Sequence, residues 1–507
     1  MGKLRSQIQR QAFHSIIITI SLALVTGCSG GGGSGGSNKS NTNNLTIGGT
    51  ILGNNGSVTL SLNGTEETFS SSSFIFSSTI ANGGNYAVQF VSTATNQQCS
   101  LQNNVGTAVA NISNITVTCT NPVSVLSYAD AQVTGHMTTG DFNGDGFADL
   151  VFSIFTAPGH VSGTDKVMYR VAYGNGTGGF SGYTDVASLG EIGSGRLGHG
   201  LIAGDFNTDN LTDFAASGGN ILEIYAGSIS EVHTTIYRNF NVDAPYGSPI
   251  YAFDANDDNT LDLIIDDATH LYFYENSAGA FTSRTAIGNR PTISPMNFTL
   301  ADFNGDGVED ILVLGLQDSD ALELGLFSGN GDGSFATPSS LQSLSDDLYL
   351  GQVLLAFPQD HKDLSFGDFD ADGDLDIVIT STTDFLQVLL NDSNGNFTAT
   401  QRVKTGNAPV HVQVADFNLD QIPDLVSINL DSNTLSLHYG VGDGTFGDST
   451  ASAASWLEID LENDVDPYDL AVADLNGDAY PDIVFAEIGT RGIGAGSIQI
   501  FLSPGAP

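Results

Sequence analysis

The sequence predicts an all-β protein: a seven-bladed β-propeller preceded by a small β-sandwich. Three observations predict it. An acidic nine-residue segment recurs seven times, beginning at Asp141, Asp205, Asp254, Asp302, Asp368, Asp416 and Asp474. The stretches between these segments alternate apolar and polar residues, the period of a strand with one buried face. Glycine is abundant, at 61 of 507 residues, as a turn-rich β protein requires.

The N-terminus comes first. Lys3, Arg5 and Arg10 give a basic start, and Ile16 to Val25 is an apolar run too short to span a bilayer comfortably. Val25-Thr26-Gly27-Cys28 follows, and small residues before a cysteine resemble the lipobox of bacterial lipoproteins. That resemblance implies a signal peptide over 1–27, acylation of Cys28, and an exported, lipid-anchored protein of the bacterial outer membrane. Ser29 to Ser37 is nearly all glycine and serine, the composition of a flexible tether, which we extend over 28–44. With Cys28 assigned to the anchor, Cys99 and Cys119 remain as an even pair, expected to bond in an oxidising compartment.

Residues 45–121 read as several short strands, for example Ser57-Val58-Thr59-Leu60-Ser61-Leu62 and Asn114-Ile115-Thr116-Val117-Thr118-Cys119. The stretch from Tyr86 through Cys99 to Cys119 resembles the Ig-like module found after the anchor in many bacterial lipoproteins. No catalytic constellation stands out in it, and a spacer role is expected.

Residues 122–507 carry the repeats. Successive acidic segments lie 64, 49, 48, 66, 48 and 58 residues apart. A period just under fifty, with insertions, fits one four-stranded sheet per repeat. Within each repeat an apolar run follows the acidic segment, then an alternating strand, then often a glycine-rich turn ending in phenylalanine, as in Tyr173 to Phe180, Ser328 to Phe335 and Tyr439 to Phe446. The last repeat stops after an apparent third strand, Ser497 to Ser503, so Val123 to Tyr128 is expected to supply its fourth. These repeats resemble the VCBS and FG-GAP family, whose members include the propellers of integrin α-subunits.

The acidic segments carry the chemistry. Counting from the first aspartate, position three is Asn143, Asn207, Asn256, Asn304, Asp370, Asn418 or Asn476. Position five is Asp145, Asp209, Asp258, Asp306, Asp372, Asp420 or Asp478, and position nine is Asp149, Asp213, Asp262, Asp310, Asp376, Asp424 or Asp482. A main-chain carbonyl near position seven adds a ligand, from Phe147, Leu211, Thr260, Val308, Asp374, Ile422 or Tyr480. Oxygen donors at this density suit calcium, and softer metals would want the His or Cys that the segments lack. Up to seven calcium ions are expected, in a structural role. The rival motif, an EF-hand, needs an acid at position twelve. Phe152, Ala216, Ile265, Val313, Ile379, Ser427 and Phe485 stand there instead. Position six must turn the chain with positive φ, which Gly146, Gly307 and Gly373 do at low cost and Asn210 and Asn259 do tolerably. Gln421 and Ala479 fit worse, so the sixth and seventh loops are expected to be the weaker sites.

Composition narrows the partners. Asp and Glu outnumber Lys and Arg by 57 to 14, a net charge of -43. Nucleic acid and anionic membrane surfaces would be repelled, leaving the lipid anchor as the membrane contact. The expected role is a non-enzymatic module that binds or adheres to a protein or glycan. Two alternatives are a lyase-like enzyme acting on polysaccharide and a purely structural envelope component. Outside the glycine-serine tether no G-x-S-x-G motif occurs, and His199 and His411, near strand starts, read as packing residues.

Overall fold

The computed structural model describes residues 44–503 apart from 54–56, 94–97, 121–125, 128–131, 156–165, 192–199, 219–220, 240–249, 257, 267–270, 278, 288–292, 318–321, 339–341, 345–362, 448–455, 462–465 and 489–496. The expected signal peptide, the expected Cys28 lipidation site and the expected tether up to residue 43 lie outside the described residues. Every regular element among the described residues is a strand.

The first strand, Asn44–Leu52, starts one residue before the boundary expected from sequence. It belongs to the first of two four-stranded sheets, whose outer strand Gln98–Gln102 pairs with Ile112–Thr120. Alternation gives each sheet an apolar face. Ile47, Phe74 and Val117 of one sheet and Val58, Leu60 and Val88 of the other share a single core, so the unit is a sandwich. Cys99 and Cys119 are register partners on adjacent strands and form a disulfide.

From Gln132 onward, seven four-stranded antiparallel sheets follow among the described residues. Their first strands are Gln132–Gly140, Gly200–Gly204, Ile250–Phe253, Ile293–Ala301, Leu364–Gly367, Pro409–Ala415 and Asp466–Ala473. The acidic segment is the turn into the second strand, and its position-nine aspartate opens that strand in every sheet. In the seventh sheet the fourth strand is Leu126–Ser127, pairing with Ser497–Phe501. The expected closure is therefore present: chain from before the first sheet completes the last.

Packing is between sheets. The second strands read as apolar runs because both of their faces are covered, as in Ile377, Val378 and Ile379, all fully buried. Each interface has its own core. Tyr169 of the first sheet meets Phe214 and Tyr225 of the second. The ring closes where Leu150 and Phe152 of the first sheet pack with Val484 and Ile498 of the seventh.

Candidate functional sites: the acidic loops and an axial histidine–aspartate group

All seven acidic loops share one hydrogen-bond pattern. The position-one carboxylate accepts from the main-chain N–H groups of positions five and six; Asp416 does so from Asp420 at 3.0 Å and from Gln421 at 2.7 Å. The position-five carboxylate accepts from the amide of position seven, at 2.9 Å between Asp145 and Phe147. The position-nine carboxylate is buried and accepts twice. Asp149 Oδ2 takes the Phe142 amide at 2.9 Å and Oδ1 takes the amide of Gly174, the last residue of the third strand, at 2.8 Å. Asp213, Asp262, Asp310, Asp376, Asp424 and Asp482 repeat both contacts. A carboxylate oxygen has two lone pairs, so these bonds hold the loop in shape and leave acceptor capacity for a cation.

Positive φ occurs at position six in every loop, from 65° at Asn259 to 95° at Gly373, and Gln421 and Ala479 adopt it despite their side chains. Position four is left-handed too, at Gly144, Thr208, Gly305, Ala371, Leu419 and Gly477. The sequence reading missed that second turn, although the glycines in three of the seven loops were its visible signal. In the fifth loop, oxygens of Asp368, Asp370 and Asp376 lie within 4.8 Å of one another. Positions one, three and nine converge there, and Asp372 at position five is not part of that group. The donor set is hard oxygen throughout, which fits calcium.

Burial dominates the electrostatics of position nine. It pushes Asp149, Asp213, Asp424 and Asp482 up to about 7, against their two backbone donors, with the neighbouring carboxylates of positions five and one adding to the rise. Asp262 and Asp310 rise to about 6 for the same reasons, and Asp376 does so through burial with the carboxylates of Asp370 and Asp372 adding.

Position two ties each loop to the next sheet. Its side chain is buried in the interface core: Phe142, Phe206, Ala255, Phe303, Phe369, Phe417 and Leu475. Its carbonyl accepts a hydrogen bond from the neighbouring sheet in all seven cases. Ser228 N–H reaches Phe142 at 2.8 Å, Gly333 N–H reaches Ala255 at 3.0 Å, Gly444 N–H reaches Phe369 at 2.9 Å and Gly178 N–H reaches Leu475 at 3.1 Å. Asn276 and Asn391 donate through their side-chain amides to Phe206 and Phe303, each at 2.8 Å, and the Ser503 hydroxyl reaches Phe417 at 3.4 Å. The glycine-rich turns seen in the sequence supply three of these donors.

A second group of polar residues lies on the first strands or just before them. The His411 Nδ1 sits 3.1 Å from Asp363 Oδ2, and its Nε2 sits 3.7 Å from Asp469 Oδ1. His136 Nδ1 is 3.9 Å from Asp469 Oδ2. Asn297 donates to Asp363 at 2.8 Å. Burial works against a charge on His411, yet Asp363 and Asp469 together raise it to about 9. Burial lowers His136, with Asp469 opposing and His411 reinforcing the shift. The sequence reading took His411 for a packing residue; its ring is instead clamped between two carboxylates. His199 lies outside the described residues. A spacing signal was present: His136, Asn297, Asp363, His411 and Asp469 each stand five residues before the first aspartate of an acidic loop.

Comparison with known proteins agrees with the repeats. The FG-GAP-like repeat family matches residues 254–313, 368–427 and 416–485, which contain the third to seventh loops. No curated protein matches the chain. Among solved structures, an Agrocybe aegerita lectin described in its recognition of non-reducing terminal N-acetylglucosamine is similar at 17% identity, with TM-score 0.44 over 65% of this chain and 86% of that one. BBS1N, solved in complex with ARL6DN, is similar at 10% identity, with TM-score 0.45 over 75% of this chain and 97% of that one. The exotype rhamnogalacturonan lyase YesX is similar at 12% identity, with TM-score 0.42 over 91% and 89%. The chain is thus an all-β protein with FG-GAP-like repeats.

Proposed function

We propose that the chain is a calcium-stabilised, non-enzymatic binding module of the bacterial cell envelope. In this reading Cys28 anchors it to the outer membrane by lipid, the Ig-like sandwich spaces it from the surface, and a seven-bladed propeller meets a protein or glycan. One observation carries the metal assignment. Seven loops hold oxygen donors in one shared conformation, and the fifth gathers three carboxylates within 4.8 Å. Asp, Asn and main-chain oxygens would hold the ion; the ion would supply charge neutralisation and cross-linking of the turn, not chemistry. At millimolar calcium, sites of about 0.1–1 mM affinity contribute on the order of 1 kcal/mol each.

The binding role is tested on a glycan array and by protein pull-down with the mature chain, each with calcium and with chelator. Retention of specific ligands that is lost on chelation supports the reading. Turnover of a polysaccharide, or an absence of any ligand, contradicts it. The anchor is tested separately: Cys28→Ser is expected to abolish membrane partitioning of the processed protein.

A further inference from the structure

The axial group borders a cavity of about 340 Å³ lined by residues of six of the seven first strands and by one residue just before the remaining one. His136, Leu201, Tyr251, His411 and Asp469 lie on the first strands of the first, second, third, sixth and seventh sheets, Asn297 lies on that of the fourth, and Asp363 immediately precedes that of the fifth. The pairing of the first strand shifts register between Val133 and Met137, Pro295 and Asn297, Pro409 and His411, and Pro467 and Asp469. Four sheets therefore break their ladders at His136 and immediately before Asn297, His411 and Asp469. Bulges of this kind re-aim side chains and cost ladder hydrogen bonds.

We propose that this axial cavity binds one uncharged sugar residue, with a ring hydroxyl seated between His411 Nε2 and Asp469 Oδ1. The inference rests on the glycan reading above and names where and what class of glycan unit is held. The 3.7 Å separation of those two atoms is beyond a direct hydrogen bond. One hydroxyl oxygen at hydrogen-bond distance from both atoms can accept from the imidazole N–H and donate to the carboxylate, displacing a water that would do the same. The two anchors are fixed beforehand. His411 is oriented through Nδ1 by Asp363, and Asp469 is held by the amides of Met137 at 2.7 Å and Leu470 at 2.9 Å. Preorganised donors and acceptors lower the cost of ordering on binding.

The lining is mixed. Leu201 and Ile250 are apolar, Tyr251 is aromatic, and His136, His411 and Asp469 are polar. A pyranose ring matches such a lining, with C–H groups on its face and hydroxyls on its rim. The volume lies near the lower end of the roughly 300–1,000 Å³ of ligand pockets, which suits a single ring rather than a chain. Two carboxylates against one imidazolium leave no surplus positive charge, so a hexuronate is disfavoured.

Titration of the calcium-saturated mature chain with methyl hexopyranosides and the matching hexuronates, followed by saturation-transfer NMR and calorimetry, tests this. At least one neutral hexoside is expected to bind, and each uronate to bind more weakly than its neutral counterpart. Asp469→Asn is expected to weaken binding at least tenfold. Gln413 lines the same cavity, and Gln413→Ala is expected to weaken binding severalfold with the melting temperature unchanged, which guards against misfolding of the first variant. Hexoside binding that survives both substitutions overturns the axial site while leaving the glycan reading intact. A preference for uronates overturns the assigned ligand class. If no hexoside binds, the axial proposal fails, and the array with longer glycans then judges the wider reading alone.

Discussion

The amide of Phe142 donates to Asp149 Oδ2 at 2.9 Å, and the carbonyl of the same residue accepts from Ser228 of the next sheet at 2.8 Å. One peptide segment thus joins the acidic loop of its own sheet to the neighbouring sheet. The same double contact at Phe206, Ala255, Phe303, Phe369, Phe417 and Leu475 makes the loops part of the ring's closure.

Position nine is accordingly expected to matter more than position five. Asp424→Ala leaves the buried amide of Phe417 and the half-buried amide of Gly440 without acceptors and should cost roughly 2–5 kcal/mol. Asp420 is exposed, and Asp420→Ala should cost well under half of that in chelator. Urea denaturation of both variants without calcium checks the order.

The sixth loop carries two side chains in left-handed backbone, Leu419 at φ 58° and Gln421 at φ 70°. Glycine adopts these angles without steric cost. Gln421→Gly is expected to be neutral to stabilising, by up to about 1 kcal/mol, and to tighten calcium at that loop. Equal destabilisation by Gln421→Gly and by a glycine at an ordinary strand position would show that the backbone there is unstrained.

Alkaline pH should loosen the ring. The folded His411 is raised to about 9 from an ordinary 6.5, facing Asp363, Asp469 and His136. A group raised on folding contributes its stability in full below its unfolded value and loses it as pH climbs through the folded one. The contribution, about 3 kcal/mol, is present below pH 6.5 and fades toward pH 9–10. Thermal melts in calcium are expected to fall between pH 7 and pH 10, and His411→Gln to flatten that fall.

The sequence made the strands, the seven loops and the ring closure legible because each is a local pattern repeated in phase. Position two was visible as an apolar residue, but its carbonyl contact was not, since the donor lies in another repeat and is an amide of Gly178, a side chain of Asn276 or a hydroxyl of Ser503 by turns. The axial group was missed because its members come from separate repeats and differ in type. His136, Asn297 and Asp363 share no chemistry, only a distance of five residues from the loop.

Calcium titration of the chelator-stripped mature chain, by calorimetry together with melting curves, tests the central claim most directly. A stoichiometry approaching seven is predicted, with a higher melting temperature in calcium. Asp368→Ala should remove one ion and cost more than Asp474→Ala, because the fifth loop adds the carboxylate of Asp370 and the favourable Gly373, where the seventh has Asn476 and Ala479. A stoichiometry near zero, with melting indifferent to chelator, would contradict the account and leave the loops as hydrogen-bonded turns.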